Sequence, residues 1–242
     1  MKYKSLSGIS GAEHSGIVRD VFSSIQEEYD FLNRLLSLRR DVYWRKSAAA
    51  FAGDLGQEVC LDLATGTADL ALEIAGRNPR AAVVAVDLSA GMLDRARRKV
   101  RKRGLERRIP LAVCDARKLP LPSACFAAAT IAFGIRNIPD RGCALREIKR
   151  VLRPEGRAVV LEMALPENGL LRRVYRTYLA RILPALAKPF TANTAAYEYL
   201  ADSIINFPPP DAFCREMEDA GFARVQTVPL TFGVVRLYIG YA

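Results

Sequence analysis

Residues 58–69 read Glu-Val-Cys-Leu-Asp-Leu-Ala-Thr-Gly-Thr-Ala-Asp. A short apolar run passes through Ala64, breaks into a turn of small residues, and gives way to a helical pattern from Ala68 to Arg77. Apolar runs of this length, bounded by turn residues, are the mark of strands buried on both faces. The same alternation repeats downstream. Ala82–Val86 (AVVAV) is closed by Asp87 and followed by a helical pattern over Ser89–Arg103. Ile109–Cys114, Phe126–Phe133 and Ala158–Met163 are further strand candidates, with a helix predicted over Cys143–Leu152 between the last two. Strands alternating with helices predict right-handed βαβ units and a parallel, doubly wound α/β sheet.

On the N-terminal side, Ile17, Val21, Ile25, Tyr29, Leu32, Leu35 and Leu36 keep helical spacing, which predicts helices over 17–34 and 40–53, the second carrying the lone Trp44. On the C-terminal side, a helical region over 168–205 leads to Pro208-Pro209-Pro210. A helix over Asp211–Ala220 follows, with Gly221 as its C-cap. Strand-like runs Arg224–Leu230 and Phe232–Tyr241 finish the sheet. No internal repeat or linker interrupts the 242 residues, so one domain is expected.

Half of the residues are hydrophobic and 26% are charged, which excludes a disordered tail, a collagen-like chain and a small disulfide scaffold. No apolar stretch reaches the length of a spanning helix, and MKYKSLSGIS has no hydrophobic signal core. The five cysteines form no Cys-x-x-Cys pair, and His14 is the single histidine, so no metal site is expected. The expected setting is the cytoplasm.

The net charge is +10, unevenly placed. Arg95–Arg108 holds nine basic residues against Glu106 alone. That run reads either as a solvated helix and turn or as a patch for polyanions. Asn168–Tyr197 has no acidic residue. There Leu171, Val174, Tyr175, Tyr178, Ile182 and Leu186 form one helical stripe flanked by Arg172, Arg173 and Arg176. Pro184 is expected to end or kink that helix. The stripe either faces a core or, as a basic amphipathic helix, lies on a membrane or roofs a lipophilic pocket.

Ligands of a parallel sheet bind beyond the carboxyl ends of its strands. After the first strand, the turn around Asp62, Ala64, Gly66 and Thr67 lets backbone approach a ligand at a helix N-terminus. A full G-x-G-x-x-G is absent, which disfavours a dinucleotide. Asp87 ends the second strand, where it can accept from two ribose hydroxyls. Asp115-Ala116 follows the third, where it can address an adenine edge. A small turn, an acid after strand two and an aspartate after strand three resemble class I S-adenosylmethionine-dependent methyltransferases. Their Rossmann-like sheet has seven strands, mostly parallel, with an antiparallel last strand. Each aspartate by itself also reads as an ordinary helix cap. The Asn/Asp-Pro-Pro-Tyr of amino methyltransferases is missing after strand four; Phe133-Gly134-Ile135-Arg136-Asn137 stands there instead.

The chain resembles the ubiquinone/menaquinone biosynthesis C-methyltransferases over nearly its whole length. The likeness runs through Tyr29-Asp30, Trp44-Arg45, Asp62-Leu63-Ala64 with Gly66-Thr67, Asp87-Leu88-Ser89 with Met92, and the Phe133–Asn137 block. It continues in Arg150–Pro154 and in Tyr199-Leu200 with Ser203-Ile204. The resemblance implies S-adenosylmethionine as methyl donor, S-adenosylhomocysteine as product and no metal. It implies demethylmenaquinol as acceptor, with a benzoquinol or another small aromatic or lipid acceptor as the alternative. Cofactor contacts are expected from Asp62, Ala64, Gly66, Thr67, Asp87, Leu88, Met92, Asp115, Ala116 and Ala132. Arg136 and Asn137 are expected to orient the quinol oxygen or a water, with Arg136 favouring the phenolate, and Tyr29 and Asp30 to close the site.

The implied division is 1–56 as an N-terminal helical cap and 57–165 as the cofactor-binding core. Residues 166–207 form a helical insertion facing substrate or membrane, and 208–242 the C-terminal helix and strands. A polyprenyl tail implies peripheral contact with the inner face of a membrane or with other quinone-synthesis enzymes; dimerisation is left open. A non-catalytic scaffold or a basic nucleic-acid-binding protein are the remote alternatives, and the sequence carries no recognised nucleic-acid module. Three positions depart from the family pattern: Ala132 where a serine is common, Tyr238 where a histidine is usual, and Glu155 where a glycine is common.

Overall fold

The computed structural model describes residues 34, 37–187 and 195–242. A seven-stranded sheet is built from β1 (Val59–Leu63), β2 (Ala82–Asp87), β3 (Leu111–Val113), β4 (Phe126–Ala132), β5 (Leu152–Met163), β6 (Arg224–Leu230) and β7 (Val235–Tyr241). Its order is β3-β2-β1-β4-β5-β7-β6. The first five strands pair in parallel, while β7 runs antiparallel to both β5 and β6. The expected architecture is therefore present. The regular β4–β5 ladder starts at Arg157, opposite Ala128, after a shift in register in which Glu155 takes a left-handed φ of +64°.

Alternation along the strands divides the core into two layers, as period-two side chains require. Cys60, Val83, Ala85, Val159 and Leu237 meet α1 (Arg40–Ala52), α2 (Asp69–Arg77) and α3 (Ala90–Lys102) on one face. Leu61, Leu63, Ile131, Val160 and Tyr238 meet α4 (Arg141–Val151) and α8 (Pro210–Asp219) on the other. Burying each of the valine, leucine and isoleucine side chains among them is worth about 2 kcal/mol. Tyr238 lies in this second layer, edge-on to Phe213 at 4.8 Å, with its hydroxyl unpartnered among the described residues. That departure from the family pattern thus falls in the core. Caps follow the sequence: Ser89 accepts from the Met92 N–H, Asp140 from the Cys143 N–H, and Gly221 follows α8 at φ +100°.

Between β5 and α8 lie α5 (Gly169–Thr177), a π-helical turn (Tyr178–Ile182), α6 (Leu183–Ala187) and α7 (Ala195–Ile205). Pro184 does not end the helix; the distortion it demands is taken up by the π turn just before it. Leu179, Leu183, Tyr197, Tyr199 and Ile204 form a small core of their own, with Tyr175 and Tyr178 against it. The expected stripe splits accordingly. Its tyrosines turn inward, whereas Leu171, Val174 and Ile182 are exposed, as is Leu170. The Arg95–Arg108 run is also divided. Arg108 donates to the carbonyls of Ala75, Asn78 and Ala81, Lys99 to Thr67 and Asp69, and Arg97 pairs with Asp94.

Candidate functional site

The strand order reverses between β1 and β4, and a cleft opens there at the carboxyl ends of the strands, as the fold requires. It encloses about 970 Å³, its open mouth included. Ala64 and Gly66 line it from the turn after β1, and Asp87, Leu88, Ser89 and Met92 from the end of β2 and the start of α3. Cys114, Asp115, Ala116 and Arg117 line it after β3. Ala132, Phe133, Gly134, Asn137, Ile138 and Pro139 line it after β4.

The first turn is tight because Ala64, Gly66 and Ala68 all take positive φ, at +47°, +57° and +65°. Position 134 must be glycine for the two turns to meet, since a Cβ there would fall 2.6 Å from the Ala64 Cβ. Asp62 supports the turn from beneath. Thr65 Oγ1 and Thr130 Oγ1 each donate to its carboxylate at 2.6 Å, and burial pushes its pKa up to about 6. Asp87 ties the turn to β2: Oδ2 accepts from the Gly66 N–H and Oδ1 from the Ser89 N–H, both at 2.8 Å. Burial raises the Asp87 pKa against the pull of those amides. Each carboxylate oxygen keeps a lone pair for a ligand hydroxyl. Asp115 is held below the usual carboxylate range by Arg117, whose Nε and Nη2 both donate to it.

Of the residues expected to hold a cofactor, Ala64, Gly66, Asp87, Leu88, Met92, Asp115, Ala116 and Ala132 are brought together on this lining. Asp62 and Thr67 stand behind it; Thr67 Oγ1 accepts from Lys99 Nζ at 2.7 Å. Asn137 lines the cleft, whereas Arg136 does not. Arg136, expected to present its charge to the acceptor, turns into the protein. Its Nη1 donates to Glu162 Oε1 at 2.5 Å and to the Phe133 carbonyl at 2.8 Å, and its Nε donates to Ser203 Oγ at 3.3 Å. A guanidinium paired with a fully buried carboxylate has its charge largely neutralised. Tyr29 and Asp30 lie outside the described residues.

Glu162, Tyr199, Arg117 and the Phe133 backbone were not singled out by sequence reasoning as site residues. The signal for Glu162 was present, as an acid inside the apolar run Val159-Val160-Leu161-Glu162-Met163 that demands a buried cationic partner. Phe133, at φ +57°, turns its carbonyl to both Arg136 and Asn137, which only the tertiary structure shows.

A cleft at the switch point, with an acid at the end of β2 and the antiparallel seventh strand, defines an S-adenosylmethionine-dependent methyltransferase. Solved structures share this fold. An S-adenosylmethionine-dependent methyltransferase from Aquifex aeolicus superposes with a TM-score of 0.58 at 20% identity, over 88% of this chain and 96% of that one. Phosphoethanolamine N-methyltransferase 2 of Haemonchus contortus, in complex with S-adenosyl-L-methionine, gives 0.57 at 20% identity, over 75% of this chain and 37% of that longer one. Within this class, the chain belongs to the ubiE/COQ5 methyltransferase family, whose model matches residues 10–242. It is 47% identical to the demethylmenaquinone methyltransferase of Thermus thermophilus, over 91% of this chain and 99% of that protein. It is 43% identical to the ubiquinone/menaquinone biosynthesis C-methyltransferase of Geobacter sulfurreducens, over 92% and 87%.

Proposed function

We propose that this protein methylates a ring carbon of a polyprenylated quinol, converting demethylmenaquinol to menaquinol. The observation that carries the reading is the cleft itself. One wall is Asp87 with the small-residue turn, the other the Phe133–Asn137 turn, and the chain's relatives bear the names given above. The residues fit S-adenosylmethionine: Asp87 retains acceptor capacity for ribose hydroxyls, and the Ala64–Gly66 turn leaves open space where a Cβ on Gly66 would stand.

When bound, the donor supplies a methyl group on a sulfonium. A bond forms from the quinol ring carbon to that methyl, the carbon–sulfur bond breaks with its pair staying on sulfur, and the ring hydrogen leaves as a proton to water. Asn137 offers an amide N–H to the quinol oxygen and favours its ionised form, which loads the ortho carbon with electron density. Arg136 acts behind it, holding the Phe133–Asn137 turn against β5 through Glu162. Asp87 and Met92 orient the donor, and Leu88 and Ile138 exclude water from the reacting groups. In this division, 57–165 holds the donor, α5 to α7 meet the acceptor, and α1 and 208–242 complete the fold.

The exposed face of α5 and the π turn supports a peripheral membrane contact. Leu170, Leu171, Val174 and Ile182 project beside the exposed Arg173, Arg176 and Arg181, and the bilayer is where a polyprenyl tail resides. No helix among the described residues is long and apolar enough to cross a membrane. The function is tested by incubating purified protein with S-adenosylmethionine and reduced demethylmenaquinone, then the demethyl benzoquinol. Methylated naphthoquinone by mass spectrometry is the expected product. Absence of any methylated quinol from a protein that binds the donor overturns the reading.

A further inference from the structure

We infer that Tyr199, on α7, is a positioning residue that sets which atom of the Asn137 amide faces the cleft. Its hydroxyl donates to Asn137 Oδ1 at 2.8 Å, across 62 residues of chain. On the other side, Asn137 Nδ2 donates to the Phe133 carbonyl at 3.2 Å. A carbonyl oxygen only accepts, so the amide nitrogen must face Phe133 and the amide oxygen must face Tyr199. The second Nδ2 hydrogen is then what Asn137 offers to the cleft that it lines.

Without the hydroxyl, the amide keeps one long contact and is free to turn. Its oxygen, when turned outward, repels an ionised quinol oxygen, whereas the N–H attracts it. Tyr199 is built for a fixed donor. It is 2% exposed, packed with Leu179, Leu183 and Ile204, and burial pushes its ionisation far above the ordinary phenol range, so it keeps its proton at working pH. Ser203, one turn further along α7, accepts from Arg136 Nε. Residues four apart share a helix face, so α7 grips Arg136 and Asn137 at two points. The helical segment that meets the acceptor thereby sets the donor group on the cleft wall.

This role rests on the proposed reading of Asn137 as donor to the quinol oxygen. Tyr199→Phe keeps the ring in its packing and removes only the hydroxyl. With demethylmenaquinol as acceptor, we expect kcat to fall about tenfold while KM for S-adenosylmethionine stays within about twofold. In an Asn137→Ala background the same change should cost nothing further. An unchanged kcat in Tyr199→Phe, or a full additional loss in the double variant, overturns the proposal. A second readout needs no turnover. In 15N-labelled protein saturated with S-adenosylhomocysteine, the Asn137 side-chain amide pair, assigned by its disappearance in Asn137→Ala, should be well dispersed and should collapse or broaden in Tyr199→Phe. An identical pair in both proteins overturns the clamp even if no quinol is methylated, so the two readings fail separately.

Discussion

The Asp87 carboxylate accepts from the backbone N–H of Gly66, 21 residues earlier, at 2.8 Å, and with the Thr65 N–H on the Val86 carbonyl at 3.0 Å it ties the turn after β1 to the end of β2. The acid thus shapes the cleft and also faces it. Asp87→Ala removes both functions. Loss of two hydrogen bonds from ligand hydroxyls to a charged group predicts at least about 100-fold weaker S-adenosylmethionine binding by isothermal titration. Because burial raises the Asp87 pKa, binding should also weaken as the pH falls through that raised value, where the carboxylate ceases to be a pure acceptor.

The Arg136–Glu162 pair predicts a stability effect ahead of a catalytic one. Arg136→Ala leaves the Glu162 carboxylate buried and unpaired, at a cost of about 3–5 kcal/mol in denaturant unfolding. A variant as stable as the parent, yet inactive with donor binding intact, would return Arg136 to a direct role on the acceptor.

Asp62 predicts a slope of stability with pH. Its folded pKa of about 6 lies above the ordinary value of 3.8, so the folded state binds the extra proton. The contribution to stability is therefore full below about pH 4 and is lost as the pH rises through about 6. Asp62→Asn should remove this part of the slope in urea melts taken across that window.

The exposed face of α5 predicts binding to anionic vesicles that weakens with added salt. Arg173→Glu with Arg176→Glu should weaken it about 30-fold or more, at about 1 kcal/mol for each lost arginine. Val174→Asp should weaken binding to neutral vesicles as well. Equal binding of parent and double variant to anionic vesicles removes the electrostatic part of the contact.

Local sequence was enough for the sheet and most of the lining. The runs at 59–63, 82–87, 126–132 and 158–163 are apolar because both faces of a central parallel strand are buried. The turn after the first run and the acid after the second fall on the cleft because the carboxyl ends of parallel strands converge there. That logic needs only chain order, which is why Ala64, Gly66, Asp87, Asp115 and Ala116 were readable in advance.

What the sequence by itself determined is thus the α/β class, the place of the cleft and the residues that strand ends deliver to it. Tertiary structure alone decided where side chains on those turns point. Arg136 and Asn137 are adjacent, yet one turns into the core towards Glu162 and the other towards the cleft, held by Tyr199. Tertiary structure likewise divided the stripe over 171–182, packing its half-buried tyrosines against a small core and leaving Leu171, Val174 and Ile182 outside. The physical reason is the same in both cases. Strand period and turn chemistry are local, whereas the partner that satisfies a buried charge or covers an apolar face is supplied from tens of residues away.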